Sequence, residues 1–397
     1  MRTQPDARPD AHSAPPIPGA RDPMPASAEV AIIGAGLSAL RVARGLAEAG
    51  ADVAMLAPSG TLGALHDSLA TGIVTPGLAE HPHRLVAAIG EPGAAALHEW
   101  TREGVGRLGA HLHPRPTLRA SAGRGEDDDI AADLEVAPAL GLAAIALDAA
   151  GVTDRIGTSA FGPGWQVDGY GAVAPGPTLA ALAAQARSAG AGLLQGCTVT
   201  RLEDSDTGVR VVTPRGPLLA DVVVLAGDWR MRDVDPWCAD KVGPVRHHMV
   251  RYAAPAGPPP SPVTLTAQHG WLEARIDADG GLIVSGARWA SPHFQTGEEE
   301  LRCDEAVLAA LDGLVAQRFA AWHAAGRTHA WVSIAAHTCD QLPIIGPLPG
   351  RSGVIACFGW NGRPWSMAAR AADAVVDGLL HGRAAGVSRW LQAHRFV

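Results

Sequence analysis

The chain has 397 residues, of which 47% are apolar and 18% charged, and its formal net charge is -8. That balance suits a globular protein with a sizeable core, and the lack of a basic excess argues against a nucleic-acid partner. Five cysteines (Cys197, Cys238, Cys303, Cys339 and Cys357) form no CxxC pair, which points to a reducing, cytoplasmic setting without a disulfide framework or a zinc site.

Residues 1–27 are rich in Pro, Ala and charge and carry no apolar stretch. They read as a disordered lead-in, not a signal peptide. No later run reaches the roughly 18 apolar residues of a membrane span, so no integral membrane segment is expected. From Glu29, "EVAIIGAG" reads as a strand entering a glycine turn. The next stretch, "LSALRVARGLAEAG", places Leu37, Leu40, Val42 and Leu46 near helical spacing, with Gly50 as a stop. "DVAMLA" is a second buried strand, which completes a βαβ unit.

Helix is expected from His81 to Gly109 and again in "TLAALAAQARSAG", ahead of "GLLQGCTVTRLE" and the alternating "GVRVVTPRG" and "LLADVVVLAG". The text from Gly243 to about Val284 is strand-like, and "EEELRCDEAVLAALDGLVAQRF" follows as a helix. "GVIACFGWNGRPWSMAARAADAVVDGLL" closes the chain as strand, glycine turn and helix. Dinucleotide-type signals thus stand at both ends. They imply a discontinuous α/β cofactor domain of 28–85, 150–240 and 331–397, interrupted by a second domain of 86–149 and 241–330.

Gly34, Gly36 and Ala39 form G-x-G-x-x-A between strand and helix. The first glycine permits the tight turn, the second lets backbone approach a pyrophosphate, and the small third residue lets the helix pack close. The second strand should end in an acid that holds the adenosine ribose, yet it ends in Ala57. An exchanging NAD(P) would lose a main specificity contact there, whereas a retained FAD could spare it. Flavin is therefore favoured, and an NAD(P)-dependent dehydrogenase is the lesser alternative.

Three further stretches extend the pattern. "SLATGIVTPG" follows the βαβ unit, "ADVVVLAGDW" sets Gly227 after an apolar strand, and "HTCDQLPIIGPLPG" leads to "GWNGRPWS". In this order of motifs, from about Glu29 to about Gly382, the chain resembles the FAD-dependent D-amino-acid oxidase/glycine oxidase/sarcosine oxidase superfamily. Within it the chain is most similar to the γ-glutamylputrescine oxidoreductase type. The resemblance implies a Rossmann-type FAD-binding domain with a mixed-sheet α+β substrate domain. It also implies oxidation of an amine or amino-acid C–N bond by hydride transfer to flavin N5.

Carried over by residue, Gly34, Gly36 and Ala39 would serve the pyrophosphate, and Ser68 and Gly72 the ribityl and pyrophosphate. Val199 would meet adenine, Gly227 would line the cofactor, and Ala57 would stand by the ribose. Gly359, Asn361, Gly362, Arg363, Pro364, Trp365 and Ser366 would cap the pyrimidine end. Proline in the first turn of the closing helix suits its fixed φ, although relatives usually carry Gly at 364.

On the substrate side the resemblance sets Ala335 where glycine oxidase-like relatives carry a carboxylate-binding Arg. Arg275 and Arg288 are the candidate cations in its place, Trp360 and Trp365 the aromatic walls for an amine, and His337 a further neighbour. Ser333 falls near the place of a flavin-linking Cys, so FAD is expected to be non-covalent. The single lysine, Lys241, lies far from the place of the oxygen-activating Lys, which leaves O2 or another acceptor open. A degenerate, non-catalytic flavoprotein is the other alternative, since Ala57, Ala335 and Pro364 all depart from the pattern. The pairs His81/His83, His111/His113 and His247/His248 have no carboxylate or Cys at ligand spacing, so no metal is expected.

Overall fold

The apolar run Ser27–Ile33 forms strand β1, which begins within the expected lead-in. Helix α1, Leu37–Glu48, buries Leu37, Leu40, Val42 and Leu46 and ends ahead of Gly50, whose φ is +88°. Strand β2, Val53–Ala57, is buried at every position. The computed structural model describes residues 23–58, 66–123, 125–258, 261–382 and 386–397. Most of the lead-in therefore lies outside the described residues.

Around β1 an eight-stranded sheet is built. It is parallel at its centre: β1 pairs with β2 on one side and with Leu218–Leu225 on the other, Ile33 opposite both Leu56 and Leu225. β2 continues to Gly192–Gln195, and the Leu218 strand to Val354–Phe358, again in parallel. Strands covered on both faces need near-continuous apolar sequence, which "VVVL" and "VAMLA" supply. α1 packs beside the helices Pro175–Ser188 and Pro364–His381. The core includes Ile33, Leu56, Val223, Leu225 and Phe358, and Met24 packs against it.

A second eight-stranded sheet runs in the order 327–338, 242–252, 282–286, 272–276, 263–267, 117–120, 164–167 and 145–147. Its pairings are mainly antiparallel, but Val263–Ala267 and Thr117–Ala120 run parallel. Glu305–Arg318 is helical, and it contributes Leu311 and Val315 to a core with Val250, Leu265, Val284 and Trp322. The helix was expected to begin near 298. Asp304 starts it instead, because its carboxylate accepts the N–H groups of Ala306 and Val307. The helices Glu126–Val136 and Ala149–Ile156 were not anticipated; the first is too acidic to show an apolar stripe.

Among the described residues the chain divides into one unit of 71–173 and 246–333 and another of 23–70, 174–245 and 334–397. The sequence had set the boundaries at 85, 149, 240 and 330. The shift has a cause: Ile73–Val74 pairs with Gly171–Ala172 and Gly164–Val167 pairs with Thr117–Ala120, so strand pairing assigns these segments to the other unit. No helix among the described residues is long and apolar enough to cross a membrane.

Candidate functional site

Over the carboxyl ends of β1, β2 and the Leu218 strand runs an open groove of about 800 Å³. Gly34 makes the turn out of β1 at φ +134°, and a Cβ there would lie 2.3 Å from the Ala226 carbonyl oxygen. Only glycine permits this closure. Gly36 is the N-cap of α1 and brings no side-chain cap. The first N–H of the helix, that of Leu37, instead donates to Asp67 Oδ2 at 2.8 Å. Asp67 stands on the short helix α2, His66–Leu69. A Cβ at position 36 would come within 2.6 Å of the same oxygen.

Burial pushes the Asp67 carboxyl up to about 6; the Leu37 N–H opposes the shift and Asp228 adds to it. Asp228 is itself raised by burial, against the pull of Arg230, with which it forms an ion pair. The N-terminus of α1 is thus an oxyanion-accepting place already serving an acidic oxygen. Farther along, Ala335, Ala336, Trp360 and Gly362 line the groove. The turn carrying the last two is locked by Asn361, at φ +51°. Its Oδ1 accepts the Thr338 N–H at 2.8 Å and its Nδ2 donates to the Gly359 carbonyl at 2.8 Å. Pro364 then enters the Pro364–His381 helix in its first turn.

A glycine turn at a parallel-sheet groove occurs in several families, so a match along most of the chain decides. The profile of the DAO family, FAD-dependent oxidoreductases, matches residues 29–377. The chain belongs to this family. FAD is accordingly its cofactor.

Among curated proteins no sequence matches the chain. Solved structures share its fold. Glycine oxidase from Geobacillus kaustophilus is 22% identical, with a TM-score of 0.72 over 89% of this chain and 94% of that one. L-proline dehydrogenase from P. horikoshii is 15% identical, with a TM-score of 0.78 over 94% and 98%. L-amino acid deaminase from Proteus myxofaciens is 16% identical, with a TM-score of 0.73 over 97% of each chain.

Of the residues singled out from sequence, Gly34, Gly36, Val199, Gly227, Trp360 and Gly362 line this flavoprotein's groove. Ala39 is buried inside α1, and Ala57 is buried at the end of β2, its carbonyl taken by the Cys197 N–H at 2.8 Å. The Ser68 side chain lies outside the described residues. Gly72, at φ +72°, belongs to the other unit, where its carbonyl accepts the Val173 N–H. Gly359, Arg363 and Ser366 form the turn and first helical residues beside Pro364, while Trp365 is only 1% exposed. His337 sets Nδ1 3.1 Å from Gln341 Oε1.

Arg275 is buried and turned onto its own unit. It donates to the carbonyls of Thr71 and Val173 and grips the Asp277 carboxylate with Nε and Nη2. That arrangement makes it a structural crosslink. Arg288 is half-buried, 4.9 Å from the Trp271 ring centroid, and bonds the Phe294 carbonyl. Asp67, Asp228 and Arg230 were missed. Asp67 directly precedes the quoted "SLATG", but nothing in the text says that its carboxylate folds back onto α1.

Proposed function

We propose that the chain holds FAD non-covalently along this groove and oxidises the carbon–nitrogen bond of an amine or amino acid. When bound, FAD supplies the two-electron acceptor for a hydride from the carbon bearing nitrogen, and the resulting imine hydrolyses to a carbonyl compound. One observation carries the reading: the turn before α1 and the 359–366 turn open onto the same groove.

The residues suit the cofactor. A diphosphate needs N–H donors at a helix N-terminus with no Cβ in the way, and Gly36 with the Leu37 N–H meets both needs. Asp67 is the local competitor, which must be protonated or swing aside. Val199 and Gly227 would line the remainder, and Ala57 leaves the ribose without a carboxylate, as a cofactor retained between turnovers tolerates.

At the other end, Ala335, Ala336 and Trp360 present an apolar wall. A substrate carboxylate unpaired against such a wall is costly, whereas the Trp360 ring suits an amine. Amines whose carboxylate is absent or remote are therefore favoured, in keeping with the γ-glutamylputrescine type. The names of the glycine oxidase and the L-amino acid deaminase, proteins that share this fold, support amino-nitrogen chemistry. The electron acceptor is O2 or another oxidant. Lys241 is engaged elsewhere, with Asp240 and above the Trp237 ring.

The test is anaerobic bleaching of the flavin by a panel of diamines and N-alkyl amines beside glycine and D-alanine. The amines should reduce it fastest. Fastest reduction by glycine or D-alanine would overturn the substrate class. A yellow protein that none of them bleaches would favour the non-catalytic reading, for which Asp67 and Ala335 are the structural grounds.

A further inference from the structure

The unit of 71–173 and 246–333 gathers three histidines and three carboxylates at one place. The helix Glu126–Val136 presents Glu126, Asp129 and Asp133 at intervals of three and four, hence along one face. His81 is the N-cap of the helix Pro82–Ile89, and His83 lies in that helix's first turn. His269 lies in the turn after Val263–Ala267 at φ +54°. None of these groupings shows as a ligand spacing in sequence, because three separate elements supply them.

His81 is 0% exposed. Its Nδ1 contacts Asp133 Oδ2 at 2.7 Å, which leaves Nε2 as the nitrogen not held by Asp133. Nε2 has no hydrogen-bond partner, and lies 3.8 Å from Glu126 Oε1 and 3.9 Å from Asp129 Oδ2. His269 Nδ1, also without a hydrogen-bond partner, is 3.1 Å from the same Asp129 oxygen. One donor atom each from His81, Asp129 and His269 falls within 4.8 Å of the others. Ligands about 2.0–2.1 Å from a tetrahedral ion stand about 3.3 Å apart. The three donors therefore surround a space of the right size for one.

We propose that His81 Nε2, His269 Nδ1 and Asp129 Oδ2 bind a divalent transition-metal ion of the zinc type. Two imidazoles and a carboxylate are borderline donors, and they suit zinc better than magnesium or calcium. Glu126 or a solvent molecule takes the fourth position. Asp133 is the positioning residue: it holds His81 Nδ1 and also His83 Nδ1 at 2.8 Å, as carboxylates behind metal-bound histidines do. Arg84 bonds the ligating Asp129 oxygen from the solvent side at 2.7 Å. The oxygen has a second lone pair, so ion and guanidinium share it, but Arg84 competes electrostatically. Glu126 and His269 also line a cavity with Trp271, Trp289, Gln317 and Arg318, through which an ion enters.

The full-length flavin-loaded protein, treated with a chelator and dialysed, is titrated with ZnCl2 by calorimetry and with CoCl2 by visible absorption beyond the flavin bands. One saturating equivalent and tetrahedral Co2+ bands are expected. His269→Ala and Asp129→Asn should each weaken binding by at least about 100-fold. Arg84→Ala should bind at least as tightly as the parent, which a purely structural ion-pair network would not produce. Circular dichroism checks that each variant is folded, and Asp129→Asn alone suffices should His269→Ala fail. No saturable equivalent in the parent, or unchanged binding in both ligand variants, would overturn the proposal.

Discussion

Gly34 and Gly36 share a motif but not a constraint. At Gly34 an added methyl meets a fixed carbonyl at 2.3 Å with φ at +134°, so Gly34→Ala should cost about 3 kcal/mol or more. At Gly36 the obstacle is the Asp67 carboxylate, which can rotate away, so Gly36→Ala should fold while FAD retention suffers. Thermal melts and flavin content of the two variants separate these outcomes. Asp67 itself predicts a pH dependence. It faces the Leu37 N–H from α1 and Asp228, held by Arg230, from the turn after the Leu218 strand. Its carboxyl, pushed up to about 6, is neutral below that pH and charged above it. Binding of a diphosphate beside it favours the protonated Asp67, so the FAD dissociation constant should rise with pH above 6, by at most about tenfold per unit. Asp67→Asn should flatten the profile, as read by flavin fluorescence quenching. A flat profile in the parent would place the diphosphate away from Asp67.

The helix Glu305–Arg318 depends on its cap. Asp304 Oδ1 accepts from Ala306 and Val307, and Oδ2 accepts from Gln295 Nε2 at 3.0 Å. Asp304→Ala removes all three interactions and should cost about 1–2 kcal/mol, seen as a lower Tm with unchanged flavin content. The Pro364 helix behaves oppositely. Proline at its first position gives up no helical bond, so Pro364→Ala should change stability by less than about 1 kcal/mol.

Stability of the whole molecule should fall in acid. Burial pushes the His98 imidazole down to about 4, with Arg119 adding and Asp133 opposing. Burial does the same to His248, also to about 4, with Arg246 adding and Asp304 opposing. Both are held neutral in the fold, while the unfolded chain takes up their protons below about 6.5. Their contribution is complete above pH 6.5 and is lost as pH falls toward 4. Asp67 works in the other direction, because its raised pKa favours the fold at low pH and that contribution is lost as pH rises through about 6. Asp228, also raised by burial, acts with Asp67; the two histidines lower Tm between pH 6.5 and 4 against these two carboxyls. His248→Gln, whose amide oxygen can still accept the Asp304 N–H, should make that drop shallower. An unchanged slope would mean that His248 is not held neutral.

The βαβ opening, the glycine turn, the order of the later motifs and Pro364 at a helix start were all legible in the text. Each is a local property: apolar period, missing Cβ and fixed φ act within a few residues. The boundaries between units were not legible, since strand pairing between residues tens of positions apart decides them. Nor was the acid at the α1 N-terminus, because Leu37 and Asp67 are 30 residues apart. Arg275 read as a candidate substrate cation until the fold closed carbonyls and Asp277 around it. His81 had no ligand partners in its own neighbourhood of sequence and gained Asp129 and His269 only when three elements met. Sequence set the local geometry and the family. Which charges face one another was decided by tertiary packing, because the Coulomb and burial terms depend on distance in space and not along the chain.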